Sequence, residues 1–108
     1  MEKIVDLTEI AGGRTRMLAG AQRGLAAREL LRLDSAEKQR ARIVVRAPDQ
    51  LQTIASSFVQ ALLGKTYSDH GAEGIREFYD FSQLKPSLQE DFERGIHRLR
   101  LNSEQIKD

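Results

Sequence analysis

The order of apolar and polar residues predicts three short strands separated by helices. A first strand is expected at residues 4–7, where apolar residues precede a glycine turn. Residues 43–45 form a β-branched run that is typical of a strand buried on both faces. An aromatic-rich stretch at residues 75–81 is the third strand candidate.

The first predicted helix runs from residue 14 or 15 to about residue 33, because this stretch is rich in Ala, Leu and Arg. Gly20 and Gly24 are one turn apart in it, and their use is expected to be the close approach of another element. A polar connection is expected at residues 34–42.

Two further helices are predicted from capping signals. Ser56 and Ser57 precede an apolar run and are expected to cap a helix that reaches residue 68 or 69 and ends at Gly71. Ser87, with Glu90 three residues later, matches a capping box. An apolar stripe at helical spacing follows, formed by Leu88, Phe92, Ile96 and Leu99.

Strands that alternate with helices predict crossover connections and a small α/β domain with a partly parallel, mixed sheet and helices packed against it. We expect one domain at residues 1–103 and a polar C-terminal tail at residues 104–108. Three strands make a thin sheet, which leaves room for a hairpin at residues 9–14 or a short extra edge strand.

Composition narrows the function classes. The chain has 108 residues, 40% apolar and 31% charged, which is enough apolar area for a folded domain rather than a disordered chain. Without cysteine it can have neither disulfides nor thiolate chemistry. No apolar stretch is long enough for a bilayer, and residues 1–6 lack the apolar region of a secretory signal, so we expect a cytoplasmic protein.

Charge is unevenly distributed although the net charge is only +1. Residues 14–46 contain nine basic and three acidic side chains, which gives this segment +6 and the remainder −5. A basic segment can attract nucleic acid or another anion, but a solvated helix face has the same pattern, and we favour the solvated face. Arg14 and Arg16, after two glycines, are the candidate anion-binding residues.

Catalytic patterns are mostly absent. His70 and His97 are far apart, so both are interpreted as structural residues, and neither a metal nor a cofactor is expected. Gly64-Lys65-Thr66 resembles the end of a phosphate-binding loop, but Val59 stands where that loop needs glycine, and we reject a nucleotide site there. We therefore do not expect an enzyme.

Ser56 and Ser57 admit two interpretations. As a helix cap, either hydroxyl would contribute about 1 kcal/mol, and composition alone favours this interpretation. As a phosphoacceptor, a serine here would gain close to two negative charges at a helix N-terminus, where the helix dipole tolerates them. The fold would then persist while the docking surface changes.

Residues 55–65, which read A-S-S-F-V-Q-A-L-L-G-K, resemble the S-S-F…A-L…G signature of the STAS-like domain proteins, a bacterial family of uncharacterised function. More distant relatives are the anti-sigma-factor antagonists and the sulfate-transporter STAS domains. In the antagonists a second serine at this place is phosphorylated. The resemblance makes Ser57 the switch residue and Ser56 its neighbour, although Ala55 and Phe58 replace the antagonists' aspartate and glycine.

The resemblance implies a small STAS-like sandwich that acts as a non-enzymatic regulatory module. It would dock an anti-sigma factor or a histidine-kinase-like ATPase through the surface around Ser56 and Ser57, with Thr53, Phe58 and Lys65 as neighbouring contacts. Phe58 could equally be a core residue, which we favour. The alternatives are a nucleic-acid or anion-binding accessory protein that uses residues 14–46, and a homodimer built on an open sheet edge.

Overall fold

The chain forms one α/β domain whose elements largely follow the predicted alternation. The structure is a computed structural model and describes residues 1–12 and 14–106, with side chains described up to residue 103. In chain order the elements are β1 (Glu2–Asp6), α1 (Thr8–Ala11), β2 (Met17–Leu18), α2 (Ala21–Leu30), α3 (Leu33–Lys38), β3 (Arg42–Arg46), β4 (Thr53–Ile54), α4 (Ser56–Phe78), β5 (Tyr79–Asp80) and α5 (Pro86–Ile106).

The main sheet has three parallel strands in the order β1-β3-β5. Its central strand, β3, is the predicted β-branched run, and Ile43, Val44 and Val45 are all buried. Val5 of β1 lies beside Val45, and Tyr79 of β5 lies beside Ile43. The prediction of crossover connections and parallel pairing is therefore confirmed, but the predicted mixed sheet is wrong, because every strand pairing among the described residues is parallel.

A second, two-stranded parallel sheet joins β2 to β4, with Met17 beside Thr53. The thin predicted sheet leaves room for a short extra strand, and β2 and β4 are short strands of this kind. The prediction that a helix begins at residue 14 or 15 is wrong. Helix α2 begins only at Ala21, because Gly20 has φ 98° and ψ 140°, which no helical residue adopts. The predicted turn glycine Gly13 lies outside the described residues, while Gly12 has φ 69°.

Helix α4 breaks where predicted, at Gly71, which has φ 72° and ψ −176°. The strand predicted at residues 75–81 is nevertheless wrong, because the chain is helical again up to Phe78 and only Tyr79–Asp80 pairs with β3. Ile75 and Phe78 are buried and one helical turn apart. Arg76 and Glu77 between them are both exposed, which fits a helical rather than an alternating period.

Two other boundaries differ from the prediction. The polar connection contains the short helix α3, which buries Leu33 and Ala36. Helix α5 begins at Pro86, one residue before Ser87, so the predicted capping box is out of register; proline suits a first helical position because that position needs no N–H. Since α5 reaches Ile106, it includes the first residues of the predicted tail, and residues 107–108 lie outside the description.

A single core joins the helices to one face of the main sheet. Its largest fully buried side chains include Phe58 of α4 and Phe92 of α5. Leu88 and Ile96 are also buried and Leu99 is partly buried, so the predicted stripe of α5 is confirmed. Among the described residues, no helix combines the length and apolar character needed to cross a membrane.

Candidate functional site

Ser57 lies in the first turn of α4 and is exposed, but it does not cap that helix. The N-cap residue is Ala55, which has extended backbone angles and makes no side-chain cap hydrogen bond. The Oγ of Ser57 instead accepts a hydrogen bond from the backbone N–H of Gly20, at 3.0 Å. The prediction that a serine caps α4 is therefore wrong, because the helix begins one residue earlier than a cap at Ser56 requires.

Ser56 is the first residue of α4, and its hydroxyl is enclosed by the protein. Within the described part of the chain, its Oγ is buried and has no hydrogen-bond partner. A buried hydroxyl without a partner costs stability, typically about 1–3 kcal/mol. Ser56 is thus not accessible to a kinase or partner in the way that its neighbour Ser57 is.

Helices α2 and α4 run side by side in the same direction. Gly20, just before α2, contacts Ser57, and Arg28 near the other end of α2 donates hydrogen bonds to Leu62 O at 2.8 Å and Thr66 Oγ1 at 3.0 Å. Both helices therefore begin at the same end of the pair. Helix N-termini carry positive partial charge, so the dipoles of both helices favour an anion near Ser57.

The close approach predicted for the glycines is made by one of them. A Cβ on Gly24 would lie 2.5 Å from the carbonyl oxygen of Phe58 and 2.7 Å from the Cβ of Ala61, so only glycine lets the two backbones come this near. Gly20 has a different use, since its positive φ lets the chain turn into α2.

A groove lies between α2 and α4, beyond the first turn of α4, and its lining includes the charged residues Arg28 and Asp34. Its volume is about 410 Å³, and Leu25 of α2 and Ala61 and Gly64 of α4 supply apolar walls. Leu25 is 57% exposed, which is unusual for a large apolar side chain at a helix contact. Ala61 and Gly64 are four and seven residues after Ser57, so all three lie on one face of α4. Ser57 does not itself line the groove and lies one helical turn before Ala61.

Of the other predicted partner contacts, Lys65 lines the groove, whereas Thr53 and Phe58 do not. Lys65 is exposed, lines the groove and lies 3.7 Å from Asp34. Thr53 is exposed on β4, two residues before Ala55. Phe58 is fully buried, as the core interpretation requires, so its side chain is not available to a partner in this conformation.

The basic segment does not behave as one charged surface. Arg14 and Arg16 are exposed, but they precede α2 by several residues and so do not stand at its N-terminus as expected. Arg42 donates to the carbonyl oxygens of Arg76 and Glu77 at the end of α4. Several of the segment's cations are thus occupied by contacts within the domain, Arg28 among them.

A buried polar cluster closes the far end of the α2–α4 contact. Arg28, which is 6% exposed, lies 3.3 Å from Glu37 and 2.7 Å from Asp34. Thr66 and the hydroxyl of Tyr79 both donate hydrogen bonds to Glu37 Oε2. A buried carboxylate and a buried guanidinium thereby satisfy each other, which is the condition for keeping charges inside a protein.

The cluster shifts the pKa values of two of its members, Tyr79 and Asp34. Burial raises the pKa of Tyr79 well above its ordinary value, and the hydrogen bond to Glu37 raises it further. The hydrogen bond from Arg28 lowers the pKa of Asp34. Sequence reasoning missed the cluster, because its members come from four separate elements and no local pattern connects them.

The remaining candidates from the sequence are the Gly64-Lys65-Thr66 motif and the two histidines. Gly64-Lys65-Thr66 lies in the middle of α4 with Thr66 buried, so it is not a loop that could hold a phosphate. His97 is exposed on α5, and His70 packs edge-on against Phe78 with ring centroids 5.1 Å apart. Among the described residues, no group of three His, Cys, Asp or Glu side chains could hold a metal.

Comparisons with known proteins do not narrow the function. No family model, curated protein or solved structure matches this chain.

Proposed function

We propose that this chain is a non-enzymatic regulatory module that binds a protein partner along the α2–α4 groove, with Ser57 as the phosphoacceptor that controls binding. The observation that carries the proposal is the position of the Ser57 hydroxyl. It is exposed, it accepts a hydrogen bond from Gly20, and it stands where both helices begin.

A phosphate on Ser57 would be stabilised without rearrangement of the fold. The N–H of Gly20 already points at the hydroxyl oxygen, and the N-termini of α2 and α4 favour negative charge at this end. The same phosphate would add close to two negative charges one helical turn from a groove that both apolar and charged side chains line. Partner affinity would therefore change while the domain stays folded.

The resemblance of residues 55–65 to the STAS-like proteins supports the same proposal. On this basis the fold is a small STAS-like sandwich, the protein is bacterial and cytoplasmic, and the partner is an anti-sigma factor or a histidine-kinase-like ATPase. Thr53 and Lys65 would be partner contacts. Phe58 would support the docking helix from within the core rather than touch the partner.

The test compares Ser57→Asp with Ser57→Ala and the wild type as baits in a native bacterial lysate, with the retained proteins identified by mass spectrometry. Ser68→Asp is the matched control, because Ser68 is exposed on α4 three turns beyond Ser57 and on a similar face. We expect one protein whose retention differs between Ser57→Asp and Ser57→Ala, while Ser68→Asp behaves as the wild type.

Identical retention by all four baits would remove Ser57 as a switch. The nucleic-acid alternative is tested in the same samples by raising the salt concentration, since contacts to a phosphate backbone weaken steeply with salt. The burial of Arg28 and its pairing with Asp34 and Glu37 speak against that alternative, because this cation is not free to meet a phosphate.

A further inference from the structure

A second cavity lies beyond the buried cluster, at the opposite end of the α2–α4 pair from Ser57. Its volume is about 470 Å³, which is within the size range of small-molecule sites. Helix α3 supplies Glu37 and Lys38 to its wall, followed by Arg40, and α4 supplies Lys65 and His70. We propose that this cavity binds a small phosphorylated polyol of the sugar-phosphate class.

Charge assigns the phosphate to the side of the cavity formed by α3. Lys38 and Arg40 are exposed and line the cavity, and neither has an acidic partner within the part of the chain that the structure describes. Lys65 is near Asp34, whose stronger contact is with Arg28. Cations that can converge on one group favour a phosphate, which accepts several charge-assisted hydrogen bonds.

Hydroxyl groups would be held by the carboxylates of the cavity, of which Glu37 lies next to Lys38 on α3. Glu37 lines the cavity while its Oε2 is fixed by Thr66, Tyr79 and Arg28, so the carboxylate is oriented before any ligand arrives. Asp34 and Asp69, which also line the cavity, supply two further carboxylates. Carboxylates accept hydrogen bonds only, and ligand hydroxyls are suitable donors to them.

The backbone of Arg40 is the second observation. Arg40 has φ 57°, the left-handed conformation that normally requires glycine. It follows Gln39, the C-cap residue of α3, and in this turn the N–H of Arg40 donates to Glu37 O and the N–H of Ala41 donates to Ala36 O. Glycine is the usual residue in this turn. An arginine here costs conformational stability relative to glycine, and the side chain of this arginine lines the cavity.

Arg32 is a matched control for this conformation. It is also an arginine with positive φ, at 55°, and it is exposed beside α3, but it does not line the cavity. Replacement of either arginine by glycine relieves backbone strain. Only Arg40→Gly removes a cation from the proposed site.

The experiment measures binding of ribose 5-phosphate, inorganic phosphate and ribose by calorimetry to the wild type, Arg40→Gly and Arg32→Gly, together with the melting temperature of each protein. We expect saturable binding of ribose 5-phosphate that is tighter than binding of phosphate or ribose. Arg40→Gly should weaken it roughly tenfold or more, the effect of losing one charge-assisted hydrogen bond, and Arg32→Gly should leave it unchanged. Both variants should melt at or above the wild-type temperature.

Four results would overturn the proposal. The first is the absence of saturable ribose 5-phosphate binding by the wild type at millimolar concentrations. The second is equal binding by Arg40→Gly and Arg32→Gly. The third and fourth are binding of ribose or of inorganic phosphate as tight as that of ribose 5-phosphate. None of them bears on Ser57, which does not line this cavity.

Discussion

The two ends of the α2–α4 contact are built in opposite ways. At the N-terminal end, which is open to solvent, one exposed hydrogen bond joins Ser57 to Gly20. At the other end, the buried side chain of Arg28 reaches α4 at Leu62 and Thr66 and pairs with Glu37. The stability of the helix pair is concentrated at the closed end, so the open end can change its surface charge without unfolding the domain.

The largest expected effect comes from breaking the closed end with Arg28→Ala. Glu37 would keep its hydrogen bonds from Thr66 and Tyr79 but would be left as a buried carboxylate without its counterion. We expect a loss of about 3–5 kcal/mol in the free energy of unfolding. Urea denaturation followed by circular dichroism measures it.

The control is Arg23→Ala, which removes an exposed arginine from the same helix and should change the free energy of unfolding by less than about 0.5 kcal/mol. Equal losses in the two variants would mean that the closed end does not hold the helix pair together.

Tyr79→Phe tests the closed end of the helix pair through the pH dependence of the free energy of unfolding. At neutral pH we expect a cost of about 1.5–3 kcal/mol, because Glu37 loses a donor. The pKa of Tyr79 is raised on folding, so its contribution is complete below its unfolded value of 10.0 and is lost as the pH rises beyond it. In that range the wild type should lose about 1.4 kcal/mol per pH unit through this group.

Urea denaturation between pH 8 and 11 measures the slope. In Tyr79→Phe the part of the slope that is due to Tyr79 should be lost. Tyr67→Phe, which changes a partly buried tyrosine of α4, should keep that part of the slope. A slope that is the same in all three proteins would contradict the buried position of the Tyr79 hydroxyl.

The sequence predicts local features of both ends but not how they meet. The break at Gly71 follows from a local glycine position, and the start of α4 is predicted to within a residue or two, although its cap is Ala55 rather than a serine. The pairing of Glu37 with Thr66 and Tyr79 joins residues 29 and 42 positions apart, and such contacts have no local signature. The mistaken strand at residues 75–81 has the same origin, because aromatic content suggested a strand where tertiary packing selects a helix up to Phe78.

Gly24→Ala tests the close contact between α2 and α4 that lies between the two ends. Its Cβ would overlap the carbonyl oxygen of Phe58, which is backbone and cannot rotate away. Overpacking costs about 1–3 kcal/mol, and the better helix propensity of alanine returns up to about 1 kcal/mol, so a net loss of about 1–2 kcal/mol is expected.

Gly64→Ala is the opposite case on α4, because its nearest neighbour outside the helix backbone, Leu99 Cδ2, would be 3.9 Å from the new Cβ. We expect this variant to gain up to about 1 kcal/mol in a thermal or urea unfolding experiment. If Gly24→Ala also gained stability, the two helices would be further apart than the 2.5 Å between a Gly24 Cβ and the carbonyl oxygen of Phe58 indicates.

The smallest effect is expected at the open end, from Ser57→Ala. This change removes the acceptor for the Gly20 N–H, which water can replace because the bond is exposed, so the cost should not exceed about 1 kcal/mol. Ser57→Asp keeps an acceptor and adds negative charge at the N-terminus of α4, worth about 0.3–1 kcal/mol at low salt. Ser57→Asp should therefore be more stable than Ser57→Ala, and the difference should shrink as salt is added. Hydrogen exchange at the Gly20 amide should be faster in Ser57→Ala and no faster in Ser57→Asp. If exchange is unchanged in both variants, the hydrogen bond does not form in solution and Ser57 does not join the start of α4 to Gly20.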